Sequence, residues 1–459
     1  TSWSRPLSSP SSVAAPPTLP VTREQIARFS PKTRSIMELK SRRELEIAEK
    51  LYADHPLLGD KGEGKWNVEF VREFDMTGDS KLFPPIGKWL DKGYEPDGYG
   101  RWLGPDGDIA LPLYEGRMIG QFDFSQKGWV SGKGRSAEWR DIPWHEKSLE
   151  PQFLMGLSTY QGSEKPAQAL KFALMSISSA TNTRTAVGAV VPNRPCNHSL
   201  AVLSLDDPTP QAVATLGSAI CSFVYDFVLR RRVGGLNLSF CFLEETPLPA
   251  PSGGVAGACI AHHAASLSYC HALFAPDWLR LRAEYPHLGD TPWQQLWAID
   301  DAERLRRRCL LDAIVAELYG LDYSDLEFIV RTDPDDPTGF WRVDQDLPPE
   351  HRHTTLTLHA FRALKEMGLE AFCGSNWQLP PESKQFRDSR QTYTWTPKET
   401  WEDCERHARN MMSEAEWQAF EEEVGRIRRG EKAAPAEPDP TRTQQVLPDM
   451  PDGEQKKLF

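Results

Sequence analysis

The stretch from Leu170 to Leu243 constrains the fold more than any other, because its apolar spacing passes from alternation to helical period and back. Leu170 to Ile177 alternates and predicts a strand with one side buried. A polar loop follows, Ser178 to Thr185, and then two short apolar runs, Ala186 to Val191 and Ser199 to Leu205. Thr209-Pro210 reads as an N-cap with proline in the first turn. Behind it Val213, Leu216, Ile220, Phe223, Val224, Phe227 and Val228 predict one long helix. That helix ends in Arg230-Arg231-Arg232, cations at the negative end of the helix dipole, and Gly234-Gly235 stops it. Leu236 to Phe242 alternates again and predicts a returning strand. Four strands around one amphipathic helix can bury a core, so the expected fold class is mixed α/β (α+β).

Charge is segregated along the 459 residues, although the net value is −12. Lys165 to Cys241 holds seven basic residues against three acidic ones, whereas Asp322 to Glu350 holds nine acidic residues and only Arg331 and Arg342. An acidic total argues mildly against nucleic-acid binding, but the local field decides. The eight cysteines include no Cys-x-x-Cys pair, which fits reduced thiols in a cytoplasmic protein rather than a disulfide frame. No long apolar run predicts a transmembrane helix, and the opening Thr1-Ser2-Trp3 has no secretory core. The sequence does not begin with methionine, so an upstream portion is expected.

Segment by segment, 1–28 reads as a Ser/Pro/Ala linker and 29–150 as a loop- and aromatic-rich part. Residues 151–257 form the α/β core, 258–430 a mainly helical region and 431–459 a disordered tail. Ser41-Arg42-Arg43-Glu44 is a capping-box pattern, opening a helix with Leu45, Ala48, Leu51 and Tyr52 on one face. Further helices are expected over Ile299 to Tyr319, after Ser324, over His353 to Met367 and over Ser413 to Arg429.

Most motifs that carry chemistry are absent. Gly128 to Gly134 resembles a phosphate loop but is one residue short and lacks the magnesium-binding hydroxyl. Glu63 and Lys65, with Asp54 or Asp60, carry the groups of a metal nuclease, yet on a Gly-rich turn rather than a rigid strand. Cys259, His262, His263, Cys270 and His271 miss the spacings of closed zinc sites and read as ordinary packing. The Pro-Pro pairs, such as Phe83-Pro84-Pro85-Ile86, lack the polar acceptor and aromatic that grip a flipped base, so no methyl-transfer centre is expected in this chain.

Several phrases stand in order along the chain: Phe29-Ser30-Pro31-Lys32-Thr33-Arg34, Phe74-Asp75-Met76-Thr77, Leu111-Pro112-Leu113-Tyr114-Glu115-Gly116-Arg117-Met118-Ile119 and Ser179-Ala180-Thr181-Asn182-Thr183-Arg184-Thr185. Arg232-Val233-Gly234-Gly235-Leu236-Asn237-Leu238, Leu318-Tyr319-Gly320-Leu321 and Asp346-Leu347-Pro348-Pro349-Glu350-His351-Arg352-His353 complete the set. Together they resemble the C-terminal half of large adenine-N6 DNA methyltransferases of the type IIG restriction–modification kind, with relatives in the BREX and DISARM phage-defence systems. The resemblance implies a target-recognition region that holds double-stranded DNA for a methyltransferase domain. That domain, with its S-adenosylmethionine, is expected in a partner chain or upstream, and other defence-complex subunits are further expected partners. No cofactor or metal is expected in this chain.

On that reading Arg184 pairs with a guanine edge and Asn182 with an adenine, each worth about 1–3 kcal/mol of discrimination. Thr181, Thr183 and Thr185 suit phosphates. Lys133, Arg135 and Arg140, near Trp129 and Trp139, form a second basic patch, and Arg230, Arg231 and Arg232 neutralise phosphates. The same residues have blander uses: Thr-Asn-Thr-Arg is good turn chemistry, and arginines at a helix end satisfy terminal carbonyls. His351, Arg352 and His353 read as surface. The alternative function is a protein–protein scaffold in a defence complex with little direct DNA contact.

Overall fold

Phe172 shows why the central sheet forms where it does. Its ring packs so closely on Gly188 and Gly217 that a Cβ at either position would lie 2.5 or 2.7 Å from it, so glycine is needed on both sides. The computed structural model describes residues 19–163, 170–331, 335–383 and 396–431. Residues 1–18 of the expected linker, Lys165 and the expected tail from 432 lie outside the described residues.

The strands, in chain order, are β1 (Glu69–Val71), β2 (Glu95–Pro96), β3 (Trp102–Leu103), β4 (Ile109–Pro112), β5 (Lys127–Ser131), β6 (Glu138–Asp141), β7 (Leu154–Gly156), β8 (Leu170–Met175), β9 (Gly188–Pro192) and β10 (Leu200–Ser204). The central sheet has the order β1-β10-β8-β9 and is antiparallel throughout. A smaller sheet runs β2-β3-β4-β7, and β5 pairs with β6 as a separate hairpin. With many helices beside these antiparallel sheets, the fold is mixed α/β, as the periodicity implies.

Two expectations for the central unit are corrected. Leu236 to Phe242 is not a strand: Phe240–Glu244 is a short helix, and only Ile177 and Asn237 form an isolated bridge. The fourth strand comes instead from β1, before the expected boundary at 150, through pairs such as Phe70 with Leu203. The long helix is likewise two helices, Pro210–Ile220 and Phe223–Arg230, bent by 55°. Ser222 causes the break: its backbone is extended, and its hydroxyl accepts from Tyr225 N at 3.2 Å, capping a new helix.

β8 is buried on both faces, not one. Phe172 turns toward the Pro210–Ile220 helix, while Lys171 points into a second layer and is 1% exposed. There its ammonium donates to Glu73 Oε1 at 2.6 Å, to Arg194 O at 2.9 Å and to the Tyr160 hydroxyl. Phe74, Phe83, Leu111, Leu113, Met155 and Tyr160 form the apolar body of that layer.

The helical half follows the expected caps. Ser41 caps Arg42–Asp54, whose Leu45, Ala48, Leu51 and Tyr52 are buried. Asp301–Leu318 ends before Gly320, whose φ of +67° suits glycine. His353–Met367 ends at Gly368 and Ser413 caps Glu414–Arg428. The cap of the short helix differs: Asp322, not Ser324, precedes Tyr323–Val330. Asp301–Leu318 packs on both Gly254–Ser268 and His353–Met367, and the main core is continuous from Phe29 to Val424. Among the described residues no single helix is long and apolar enough to cross a membrane. The bent Pro210–Arg230 pair is apolar because it is buried at the centre of this core.

Candidate nucleic-acid interface

The polar loop after β8 is a turn tied at its base and open at its tip. Ser178 Oγ donates to Thr185 O at 2.8 Å, Thr185 Oγ1 donates to Ser179 O at 3.1 Å, and Thr185 N donates to Asp226 Oδ2 at 3.0 Å. Those bonds bury Thr185 completely, which removes it from the expected phosphate contacts. Thr181, Asn182 and Thr183 are exposed at the tip. Asn182 is half committed to the turn itself, since its Nδ2 reaches Ser178 Oγ at 3.4 Å and its Oδ1 accepts from Ser179 Oγ at 3.3 Å.

Arg184 departs from its expected place. It turns inward and is 7% exposed, lying over the Phe223 ring at 3.6 Å and 3.7 Å from Asp312 Oδ2. Its terminal nitrogens are covered and make no hydrogen bond, so it does not present a fork to a base edge.

Arg230, Arg231 and Arg232 are also corrected: all three are buried inside the protein, not arrayed on its surface. Arg230 pairs with Asp226 at 3.0 Å and donates to Thr338 O at 2.6 Å. Arg231 pairs with Glu44 at 2.7 Å. Arg232 pairs with Glu245 at 3.2 Å and donates to the Tyr52 hydroxyl at 2.8 Å and to Phe29 O. Each cation joins the end of the Phe223–Arg230 helix to a remote segment, so the cluster is a structural clasp.

Lys133 and Arg135 stand where a basic patch is expected, exposed at the tip of the β5–β6 hairpin. Neither makes an ion pair or a side-chain hydrogen bond among the described residues. The tip turns at Gly132, whose φ is +78° and where a Cβ would sit 2.4 Å from Ser136 O. This is why Gly128 to Gly134 is a hairpin and not a phosphate loop. Arg140 is exposed but held: its Nε donates to Glu150 Oε2 at 2.8 Å and its Nη2 to Glu150 Oε1. Most of its charge is matched by that carboxylate.

The turn borders a cleft of about 870 Å³, which no residue of the hairpin itself lines. Gln126 and Trp144, just outside β5 and β6, form one wall, Thr181 to Arg184 a second, and Arg308 and His353 part of a third. Arg342, from the short Trp341–Asp344 helix, lies at the mouth and donates to Thr181 O. His353, expected on the surface, is instead packed in the wall. Its Nδ1 accepts from Arg308 Nη2 at 3.0 Å, and its Nε2 is 2.9 Å from Asp312 Oδ2. Burial and the adjacent Arg308 push the imidazole down to about 3, the Asp312 carboxylate opposing them only in part. The neutral ring can accept at Nδ1; the protonated ring would put a second cation against Arg308. His353 is therefore expected to remain unprotonated down to about pH 4, and a protonation step seen by NMR near the ordinary histidine value, about 6.5, would contradict this packing.

A basic patch with no obvious pattern in the sequence surrounds Trp89. Lys81, Lys88 and Lys92 border a hollow of about 290 Å³, and Lys92 Nζ lies 5.9 Å from the indole centre. Only the spacing of Lys88 and Lys92, one helical turn apart, could have signalled it.

The weaker candidates have ordinary surroundings. Glu63 is exposed on a turn between Gly62 and Gly64, both with positive φ, and Asp60 accepts from Leu57 N at 2.9 Å. His263 Nδ1 accepts from Arg307 Nη1 at 3.0 Å, His271 Nδ1 accepts from Leu273 N at 3.0 Å, and the Cys270 thiol donates to Ser266 O. Among the described residues no group of His, Cys, Asp and Glu is placed to hold a metal ion. Compared with known proteins, the chain matches no family model and no curated relative.

Proposed function

We propose that the chain is the DNA-binding target-recognition part of a site-specific adenine-N6 methyltransferase in a restriction–modification or phage-defence system. It positions duplex DNA in the cytoplasm while a partner or upstream domain, carrying S-adenosylmethionine, transfers the methyl group. One observation carries the reading: Thr181, Asn182 and Thr183 are exposed and line the cleft, while Lys133 and Arg135, on the tip of a separate hairpin, are exposed cations without an ion pair among the described residues. The hairpin offers cations for phosphates, and the tip offers hydroxyls and an amide for base edges or backbone. The Lys81, Lys88 and Lys92 patch adds a second set of cations for backbone contact.

The test is duplex binding as a function of salt. Phosphate contacts release counterions, so affinity should fall steeply between about 50 and 200 mM salt, with a log–log slope near −0.9 per contact. Lys133→Ala with Arg135→Ala should weaken all duplexes alike and reduce the slope by about 2. Asn182→Ala should instead narrow the gap between preferred and other sequences, by about 1–3 kcal/mol if the amide reads a base. Absence of salt-sensitive duplex binding sinks the proposal.

A second reading, a scaffold subunit with little DNA contact, is favoured by one feature. Leu236 and Ile177 are 70% and 65% exposed on two neighbouring segments, joined where Ser178 N donates to Leu236 O at 2.9 Å. Large apolar side chains left exposed suit a protein partner. Such a scaffold would show salt-insensitive association with its partner and no duplex affinity.

A further inference from the structure

We propose that the cleft beneath the Thr181–Thr183 tip binds the phosphate group of a nucleotide or of a nucleic-acid strand, with Arg308 as the donor and Arg184 as the buried charge behind it. The proposal stands on the charge of the cleft and does not require the duplex reading.

Arg184 has one ion pair, with Asp312, whose oxygens are already engaged, and the nearby Asp344 is held by Thr354. Oδ1 accepts from Phe223 N at 2.9 Å, and Oδ2 lies 2.9 Å from His353 Nε2 and 3.7 Å from Arg184 Nη2. Arg184 and Arg308 therefore share the charge of Asp312, and His353 stays neutral between them. Burial and the nearby Arg184 together bring Arg308 down to about 10, the mark of a cation short of counter-charge. Arg308 gives one terminal nitrogen to His353, while its Nη1 makes no hydrogen bond among the described residues and its Nε has none either. Arg184 is more than nine-tenths buried, and neither of its terminal nitrogens has a hydrogen-bond partner. A buried guanidinium so poorly matched is costly unless an anion completes it.

The other acids of the wall do not supply that anion. Asp123 holds Lys147 Nζ at 2.7 and 2.8 Å. Asp344 accepts from Thr354 N at 3.0 Å and from its hydroxyl at 2.9 Å, and burial holds its carboxyl above the usual range. Asp301 sits exposed at the rim. Arg342 adds a further cation at the mouth, bonded to carbonyls alone. A volume of about 870 Å³ is far larger than a small carboxylate or chloride needs, and it leaves room for a sugar and base beside the phosphate. A tetrahedral oxyanion suits the remaining donor of Arg308, its Nη1, and the field of Arg184.

The experiment is a thermal-unfolding and calorimetric titration of the whole chain with adenosine monophosphate, inorganic phosphate and an unphosphorylated duplex. Each arm is matched to sodium chloride of equal ionic strength. Saturable binding of the monophosphate, with a higher unfolding midpoint than chloride gives, is expected. Arg308→Gln should weaken it at least tenfold, and Arg184→Lys, which keeps the charge, should weaken it less. Binding of the monophosphate but not the duplex assigns the site to a free nucleotide; competition between them assigns it to a nucleic-acid phosphate. No saturable effect of any phosphate arm on the wild-type chain overturns the proposal, and so does undiminished monophosphate binding by Arg308→Gln. Duplex binding that persists in either case would leave the DNA-positioning reading intact.

Discussion

Replacing Arg232 by methionine is expected to destabilise the protein by about 3–5 kcal/mol while leaving the duplex affinity of the folded fraction unchanged. The guanidinium and its partner Glu245 are both sealed from solvent, and the same cation binds the Tyr52 hydroxyl and Phe29 O. Methionine fills the volume but strands the carboxylate. Glu245 cannot relieve the loss by taking a proton near neutral pH. Burial raises its pKa, but Thr33 N at 2.9 Å, Ser30 Oγ at 2.7 Å and Lys32 N at 2.7 Å more than offset this and hold it below the usual carboxylate range. A carboxyl whose folded pKa is depressed adds stability above its unfolded value, about 4.3, and loses it as pH falls through the folded value. The deficit of Arg232→Met should therefore persist at neutral pH and shrink when Glu245→Gln removes the stranded charge. Denaturant unfolding of both single variants and the double variant gives the coupling, expected at about 1–3 kcal/mol. An arginine used on phosphates would behave in the opposite way: duplex affinity would fall and stability would hold within about 0.5 kcal/mol.

That contrast shows where one-dimensional reading stops. Three arginines at a helix end before two glycines look like a surface cluster. Their partners Glu44, Glu245 and Thr338 lie on segments that only the folded chain brings together. The central sheet was legible for β8, β9 and β10, whose apolar runs are five or six residues long. It was not legible for β1, three residues whose pairing with β10 crosses more of the sequence than any local pattern spans. Leu236 to Phe242 misled because alternation over so short a run also fits an extended lead-in to a single helical turn. The caps at Ser41, Thr209 and Ser413 were legible because each acts within three residues of itself, whereas the short Tyr323–Val330 helix is capped by Asp322 and not by Ser324. Of the candidate interface, Thr181, Asn182, Thr183, Lys133 and Arg135 are exposed, as turn and hairpin-tip residues are from their local sequence. Arg184 is not exposed, and the pull of Phe223 and Asp312 that turns it inward is invisible from its own neighbours in sequence.

Lys171 carries the other large effect, and here the repair can be designed. Lys171→Met should cost about 3–5 kcal/mol, because Glu73 would be left as an unpaired charge in a site where both side chains are at most 1% exposed. The ammonium is fully engaged by three acceptors, and its surroundings, Cys196 and Glu73 foremost, outweigh the burial that opposes its charge, so its pKa lies above the ordinary lysine value. Removing both charges should recover more than half of the loss, provided the acceptor that Glu73 offers to Cys196 N at 2.8 Å is kept. Glu73→Gln keeps it; Glu73→Leu would orphan that buried amide at a cost of about 1–3 kcal/mol. The order of stability in urea is thus expected to be wild type, then Lys171→Met with Glu73→Gln, then Lys171→Met with Glu73→Leu, then Lys171→Met alone. If the glutamine double variant unfolds no later than the single variant, the second layer is not held by this ion pair, and the burial of both faces of β8 must rest on its apolar contacts alone.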